Sequence, residues 1–483
     1  MPNPIVYDLM AARPELLVLG MAMLILLLDL FLSDRHRYVT YAMTQLTLFG
    51  AAFLTVSNHT PGVSYIFNGM FVHDPLSDVL KLMMDLSTMA VLVYSRSYIS
   101  LRGMYRGEFY ALVLFALLGM MIMVSGNHFL TLYMGLELLS LCLYALVALD
   151  RENPRATEAA MKYFVLGALA SGMLLYGMSM IYGATGALEL DEVRRALVSG
   201  IPDHAVLILG LVFVVAGVAF KLGAVPFHMW VPDVYHGSPT AVTLLIGSVP
   251  KFAAFAFVIR LLVQGLEPLA VDWQGMLIIM AVLSITIGNI TAIAQTNLKR
   301  MLAYSTISHV GFLLFGIFSV SLNGYTSALF YIMAYVLTTL GAFGMILLLS
   351  RQGFEAENLE DLKGLNQRSP WYAFLMLLIM FSMAGVPPTL GFYAKFAVLQ
   401  AALQAGFVGL VVFAVLMAVI GAFYYLRIVK LMYFDDPEDR SPIRPQFDVA
   451  LVLGLNGMLV LLVGLMPEWL MQLCAYAIAQ SVE

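Results

Sequence analysis

The stretch VLILGLVFVVAGVAFKLGAVPFHMW, residues 206–230, decides how this chain folds. From Val206 to Phe220 no side chain is polar, so a helix of this composition belongs in hydrocarbon. Lys221 then places a charge where each one costs about 2.5–3.5 kcal/mol to insert. Gly223 and Pro226 follow at once. Proline lacks an N–H and collides with the turn before it, so the helix must break inside the membrane. Backbone groups freed at that depth survive only within protein or beside water. The stretch therefore predicts a discontinuous membrane helix with an ionisable side chain at its break.

Working outward, a hydrophobic share of 61% and a charged share of 11% exclude an ordinary soluble globule, which carries about 25% charged residues. Apolar runs of about 20 residues recur along the chain, and fourteen are long enough to cross about 30 Å of hydrocarbon. The first is 14–32, the seventh 204–236, the twelfth 370–404 and the last 448–475. Of these, the twelfth is also interrupted, at GVPPTLG from Gly385 to Gly391. The two broken runs lie five spans apart, and an odd offset inverts the second unit relative to the first. The pattern predicts an all-α polytopic membrane protein with 14 transmembrane helices and two inverted five-helix repeats, helices 4–8 and 9–13. The organisation that follows is a three-helix segment (1–106), a first repeat (107–263), a second repeat (274–432) and a C-terminal helix (448–483).

Basic residues give the orientation. Fifteen Lys and Arg residues, among them Arg35, Arg37 and Arg351, fall in or beside connectors on one side. Only Arg13, Arg194 and Arg195 fall on the other, which also carries both termini. Positive-inside asymmetry then puts both termini in the periplasm. The run 14–32 is too long for a signal-peptide core and lacks a small-residue cleavage site, so it reads as an uncleaved span. Lys81, Arg427 and Arg260 lie near span ends and are expected to snorkel to the surface.

Five further charges lie inside long apolar runs: Glu137, Lys162, Lys221, Lys251 and Lys395. Together they cost roughly 12–18 kcal/mol before pairing, as much as a whole domain's net stability. Intramembrane groups of this kind mark ion or proton paths. An ordinary lysine, with a pKa of about 10.4, carries protons near neutral pH only if its surroundings disfavour the charge by roughly 4–5 kcal/mol, which removal from water can supply. Arginine would stay charged. Lys221 precedes the first break, so the carbonyls ending the first half-helix are expected to stabilise it. Lys395 follows the second break. Lys162 is only about two turns from a helix end, where a snorkelling lysine is the competing reading. His309, in STISHVGF, is the foremost histidine, either a satisfied core residue or a relay. His228 and Asp233 read as structural, Asp85 as a polar packing contact, Tyr424 and Tyr425 as core ahead of helping to hydrate a path, and Gly167 and Ser171 as close helix contact.

Several chemistries are absent. No GxGxxG follows a strand, and there is no GK[ST] loop and no HExxH. Cys142 and Cys474 can form neither a disulfide framework nor a CxxC site. A net charge of −5 with no basic cluster leaves no footing for nucleic acid.

The residues also carry a resemblance. GVAFKLGAVPFHMWVPDVYHGSPTAVTLLIGSVPKFAAF (217–255) and NITAIAQTNLKRMLAYSTISHVGFLLFG (289–316) closely resemble the antiporter-like subunits of respiratory complex I. So do LYMGLELLSLCLYALVA around Glu137 and TLGFYAKFAVL around Lys395. Lysine rather than glutamate in the twelfth helix, and no long lateral helix after the fourteenth, point to the N branch of that family. A Mrp-type or stand-alone cation/proton antiporter subunit is the alternative. The resemblance implies a proton-translocating subunit of a bacterial NADH:quinone oxidoreductase, multi-pass in the inner membrane. It implies a relay of Glu137, Lys221, Lys251, His309 and Lys395. Glu137 would modulate Lys221, Lys162 would support that pair, and Lys395 would be the terminal exchanger toward the periplasm. No cofactor is expected in this chain; NADH, FMN, iron–sulfur clusters and quinone would belong to partner subunits. The implied partners are the neighbouring antiporter-like M subunit, small K/J-type subunits, the hydrophilic redox arm and the lipid bilayer.

Overall fold

The structure, a computed structural model, describes residues 4–33, 36–200 and 204–482, so Arg35 lies outside the described residues. Helix α1 (Pro4–Ala11) meets α2 (Arg13–Asp29) at 74°. After α3 (Tyr38–Asn58) comes an antiparallel hairpin, β1 (Ser64–Ile66) and β2 (Phe71–His73), with Ser64 opposite His73. The hairpin leads into α4 (Pro75–Leu101). Asp74 caps that helix: its carboxylate accepts from the Ser77 N–H, and the Ser77 hydroxyl accepts from the Asp74 N–H. Next are α5 (Gly107–Ser125), α6 (Phe129–Val147), α7 (Pro154–Thr185), the short α8 (Leu190–Ser199) and α9 (His204–Leu222). Three short helices follow, α10 (Trp230–Gly237), α11 (Thr240–Gly247) and α12 (Pro250–Val258), the last widening into a π-helical turn through Gly265. The remainder runs α13 (Ala270–Ile293), α14 (Leu298–Phe318), α15 (Leu322–Leu349), α16 (Leu365–Arg368), α17 (Pro370–Ala384), α18 (Leu390–Gln404), α19 (Val408–Phe434), α20 (Phe447–Leu465) and α21 (Glu468–Val482).

Among the described residues eleven helices are long and apolar enough to cross a membrane, or twelve if the bent α1–α2 pair is one span. The chain is therefore a mostly helical, multi-pass membrane protein. Its core lies at α11, α12, α14 and α15. The Thr240–Gly265 span is wholly buried and α14 is 94% buried, whereas α19 is only 28% buried and turns most of its apolar surface outward.

Both expected interruptions are present, and they are built alike. Gly223 (φ +83°) ends α9 in the left-handed region, its N–H reaching the Phe220 carbonyl while the Ala224 N–H reaches Ala219. Gly385 (φ +87°) ends α17 the same way, its N–H reaching Ser382 while Val386 reaches Phe381. This closure uses two of the last helical carbonyls and leaves the final two without a main-chain partner. Two short bridges share a second parallel. His128 pairs with Glu189, flanked by bonds from Phe129 to Leu188 and from Leu190 to Asn127. Asn297 pairs with Asn358, flanked by bonds from Leu298 to Glu357 and from Leu359 to Thr296. The second set repeats the first at one constant offset, 128 to 297 and 189 to 358.

Three expectations are corrected. The run 448–475 is not one helix: α20 stops at Leu465, Pro467 cannot continue it, and α21 packs separately against α15 and α4. Arg260 does not snorkel. It is 1% exposed and forks onto both oxygens of Asp74 at 2.8 Å, because a bidentate carboxylate inside the protein replaces the water it would otherwise seek. Lys81 is likewise buried and pairs with Glu15 at 2.6 Å.

Candidate functional site

At the first break, Pro250 opens α12 and sets Lys251 in its first turn, beside the end of α9. Lys251 Nζ donates to the Leu222 carbonyl at 2.8 Å, one of the two that the glycine closure leaves over. The ammonium thus sits at the negative end of the half-helix. That place was expected for Lys221. Lys221 is the next-to-last residue of α9, and helical side chains lean back from their own C-terminal carbonyls. It reaches sideways instead, to the Ser140 hydroxyl on α6 at 2.7 Å. Glu137 precedes Ser140 by three residues and shares its face of α6. Its carboxylate accepts from Ser171 on α7. No ion pair joins Glu137 to Lys221, yet the two remain within electrostatic reach, as do Lys221 and Lys251.

The second break uses one lysine for the same task. Lys395, in α18, donates to the carbonyls of Met383 (2.8 Å) and Ala384 (3.0 Å), the pair left over at the end of α17. Its Nζ lies 5.1 Å from the Phe312 ring centroid. Between the breaks stands His309 on α14, buried, with Nδ1 2.6 Å from the Tyr331 hydroxyl and Nε2 3.1 Å from that of Tyr425. Tyr425 continues to Ser305 at 2.5 Å. Tyr335, one turn beyond Tyr331, meets Thr306 at 2.8 Å and donates to the Gly247 carbonyl at 3.1 Å. Two small cavities share His309, Tyr331 and Tyr335; one extends to Leu222 and Lys251, the other to Met383 and Ala394. Each has room for about one water, with a volume of about 10 Å³. The row consists of hydroxyl, imidazole and amine groups, with no direct ion pair among them.

Lys162 stands apart. It is exposed on α7 and pairs with Glu158 and Asp233, both at 2.8 Å, while Arg300 also reaches Asp233 at 3.1 Å. Its ion pairs run to Glu158 and Asp233 rather than to Glu137, because Asp233 on α10 offers it a carboxylate at the helix end. Asp233 anchors α7 and α14 to α10 through these two ion pairs. Among the described residues no group of three or more His, Cys, Asp or Glu could hold a metal ion. Cys142 and Cys474 are free and buried.

The family model described as "NADH:quinone oxidoreductase/Mrp antiporter, TM" matches residues 126–421, which include both breaks and every lysine of the row. A relative named NADH-quinone oxidoreductase subunit N from Methylovorus glucosotrophus (strain SIP3-4) is 73% identical over 482 residues, covering 100% of each chain. The chain belongs to the NADH-quinone oxidoreductase subunit N family. The bearer of the same name from Nitrosomonas europaea is 60% identical, covering 98% of this chain and 99% of its own. A chain in the structure of respiratory complex I from Thermus thermophilus with bound aureothin superposes with a TM-score of 0.81 at 33% identity, over 96% of this chain and 99% of that one.

Within this subunit N family member, sequence reasoning missed the polar side chains that connect the charged ones. Ser140 and Ser171 hold Lys221 and Glu137, and Tyr331, Tyr335 and Thr306 surround His309. The signal for the second group was present: Ser305, Thr306 and His309 share a face of α14, and Tyr331 and Tyr335 are spaced one turn apart on α15. Ser140 and Ser171 carried no such signal, since a serine in an apolar helix reads as packing.

Proposed function

We propose that this chain is a proton-translocating membrane subunit of a bacterial NADH:quinone oxidoreductase in the inner membrane. In this reading protons pass along Glu137, Lys221, Lys251, His309 and Lys395, with Lys162 in support. The observation that carries it is the pair of lysine ammoniums, Lys251 and Lys395, on the free carbonyl ends of two broken helices, with His309 and its tyrosines between. Glu137 modulates Lys221 through Ser140 and Ser171. Exchange of those serine contacts for a direct ion pair is the switch, since an adjacent carboxylate holds a lysine's proton and a departing one releases it. Full-length likeness to relatives named subunit N favours this reading over a Mrp-type antiporter.

Fourteen spans belong to the same reading. The charged α4 and the broken α17–α18 pair add two to the twelve helices that pass on length and composition. The matching helix breaks and bridges support inverted repeats over 107–263 and 274–432, flanked by a three-helix segment (1–106) and a C-terminal segment (448–483), with both termini periplasmic. NADH, FMN, iron–sulfur clusters and quinone are assigned to partner subunits, among them an M subunit, K/J-type subunits and the hydrophilic redox arm. The test is Lys221→Ala within the assembled complex. Assembly is expected to persist while NADH-driven proton uptake into inverted vesicles drops sharply. Normal pumping by that variant would remove Lys221 from the path.

A further inference from the structure

A second group of ionisable side chains lies away from both helix breaks. Asp74, Asp78, Lys81 and Asp85 recur at intervals of four, three and four residues, so they share one face of α4. At about 1.5 Å per residue the row reaches roughly 16 Å inward, about half the hydrocarbon thickness. Its outer end reaches the protein surface. His59 has a side chain 37% exposed and lies 2.9 Å from one oxygen of Asp78, whose other oxygen is 3.1 Å from buried His73. Further in, Lys81 is matched by Glu15 of α2 at 2.6 Å. The row ends at Asp85, which is fully buried, with neither carboxylate oxygen given a hydrogen-bond donor.

The charges do not balance. Glu15 already answers Lys81, so an ionised Asp85 would be one buried negative charge too many, with no donor to replace water. The other charged side chains on helices packed against α4 are Glu108 on α5, Lys251 on α12, Asp448 on α20 and Glu468 on α21, with Arg260 beyond α12 held by Asp74. Among the described residues, Glu15 and Lys81 are the charged groups that act on Asp85. A metal cation would need more ligands than this, and no group of three or more suitable side chains occurs among the described residues. A single proton neutralises the trio.

We propose that Asp85 is a proton-binding site, separate from the row between the helix breaks, and filled from the His59 surface along the titratable face of α4. The site stands whether or not the proposed relay is correct. Infrared difference spectra of the assembled complex in liposomes, recorded without NADH, test it through the carbonyl stretch of a protonated carboxyl group. Asp85→Asn is expected to lose one such band relative to wild type. Lys81→Gln is expected to gain one, because Glu15 then loses its counter-charge and must take a proton too. Asp78→Asn is expected to slow the shift of the Asp85 band in heavy water. Should Asp85→Asn fail to assemble, Asp85→Glu must move the band rather than leave it in place. An unchanged carbonyl region in the Asp85 variant, or no added band in Lys81→Gln, overturns the proposal.

Discussion

Replacing Lys395 by arginine separates two tasks that the structure gives one side chain. Lys395 donates to the Met383 and Ala384 carbonyls, and a charge-assisted hydrogen bond contributes about 1.5–3 kcal/mol. Lys395→Met removes both, so the α17–α18 break should lose on the order of 3–6 kcal/mol of local stability. Arginine keeps the charge and offers five N–H donors, so Lys395→Arg should hold the same carbonyls and melt close to wild type. It should not release a proton. Reference values for lysine and arginine differ by at least about two pKa units, about 2.8 kcal/mol, or on the order of a hundredfold in proton release. The assay is NADH-driven proton uptake in inverted vesicles, read beside thermal unfolding of the purified complex. A stable Arg variant with lost pumping is the expected result. An Arg variant that pumps like wild type would make Lys395 a static helix cap and refute its place in the path.

Other changes test how the site is held. Asp74→Ala should strand Arg260 without its partner inside the protein and cost about 3–5 kcal/mol, seen as a lower melting temperature of the complex. Gly223→Ala forces a side chain into the left-handed region, with its Cβ 2.8 Å from Val231 Cγ2. That strain of about 1–3 kcal/mol should lower pumping more than the same change at the open, exposed Gly172. Outside the membrane, the Ser441 hydroxyl, with help from Arg368 and Arg351, pulls the Asp439 carboxyl down to about 2. A depressed carboxylate stabilises above its ordinary range, and that contribution disappears as the pH falls from about 4 toward 2. Hydrogen exchange in the connector 435–446 should rise over that window, whereas Asp439→Asn should show the faster exchange already at neutral pH.

Much of this arrangement was legible in the sequence because hydrocarbon makes charge and proline conspicuous. Pro226 with Gly223, and Pro388 with Gly385, announced both breaks, and lysines in apolar runs announced the row. Side-chain direction was not legible. Lys221 and Lys251 are equally apolar in context, yet only the three-dimensional approach of α12 to the end of α9 gives the Leu222 carbonyl to Lys251. Nor could distance from a span end predict burial. Arg260 and Lys81 stay inside because Asp74 and Glu15 arrive from other parts of the chain. Asp85 read as a packing contact, since nothing in the sequence shows that Lys81 is already matched by Glu15.

In the proposed path, the two capping lysines would also tie proton movement to backbone geometry. A protonated lysine at a helix C-terminus gains both hydrogen bonds and attraction to the negative end of the helix dipole. A neutral amine can still donate, but the attraction to the dipole disappears, up to about 2 kcal/mol in partly buried settings. Loss of a proton at Lys251 therefore weakens the hold on Leu222, and loss at Lys395 weakens the hold on Met383 and Ala384. Each break is then tighter when its lysine is charged and looser when it is not. His309 contacts helices on both sides through Tyr331 on α15 and Tyr425 on α19, so loosening at either break alters the packing around a shared imidazole. In the proposed path, a proton arriving at one break would change how the other holds its own, with no charge crossing the distance between them.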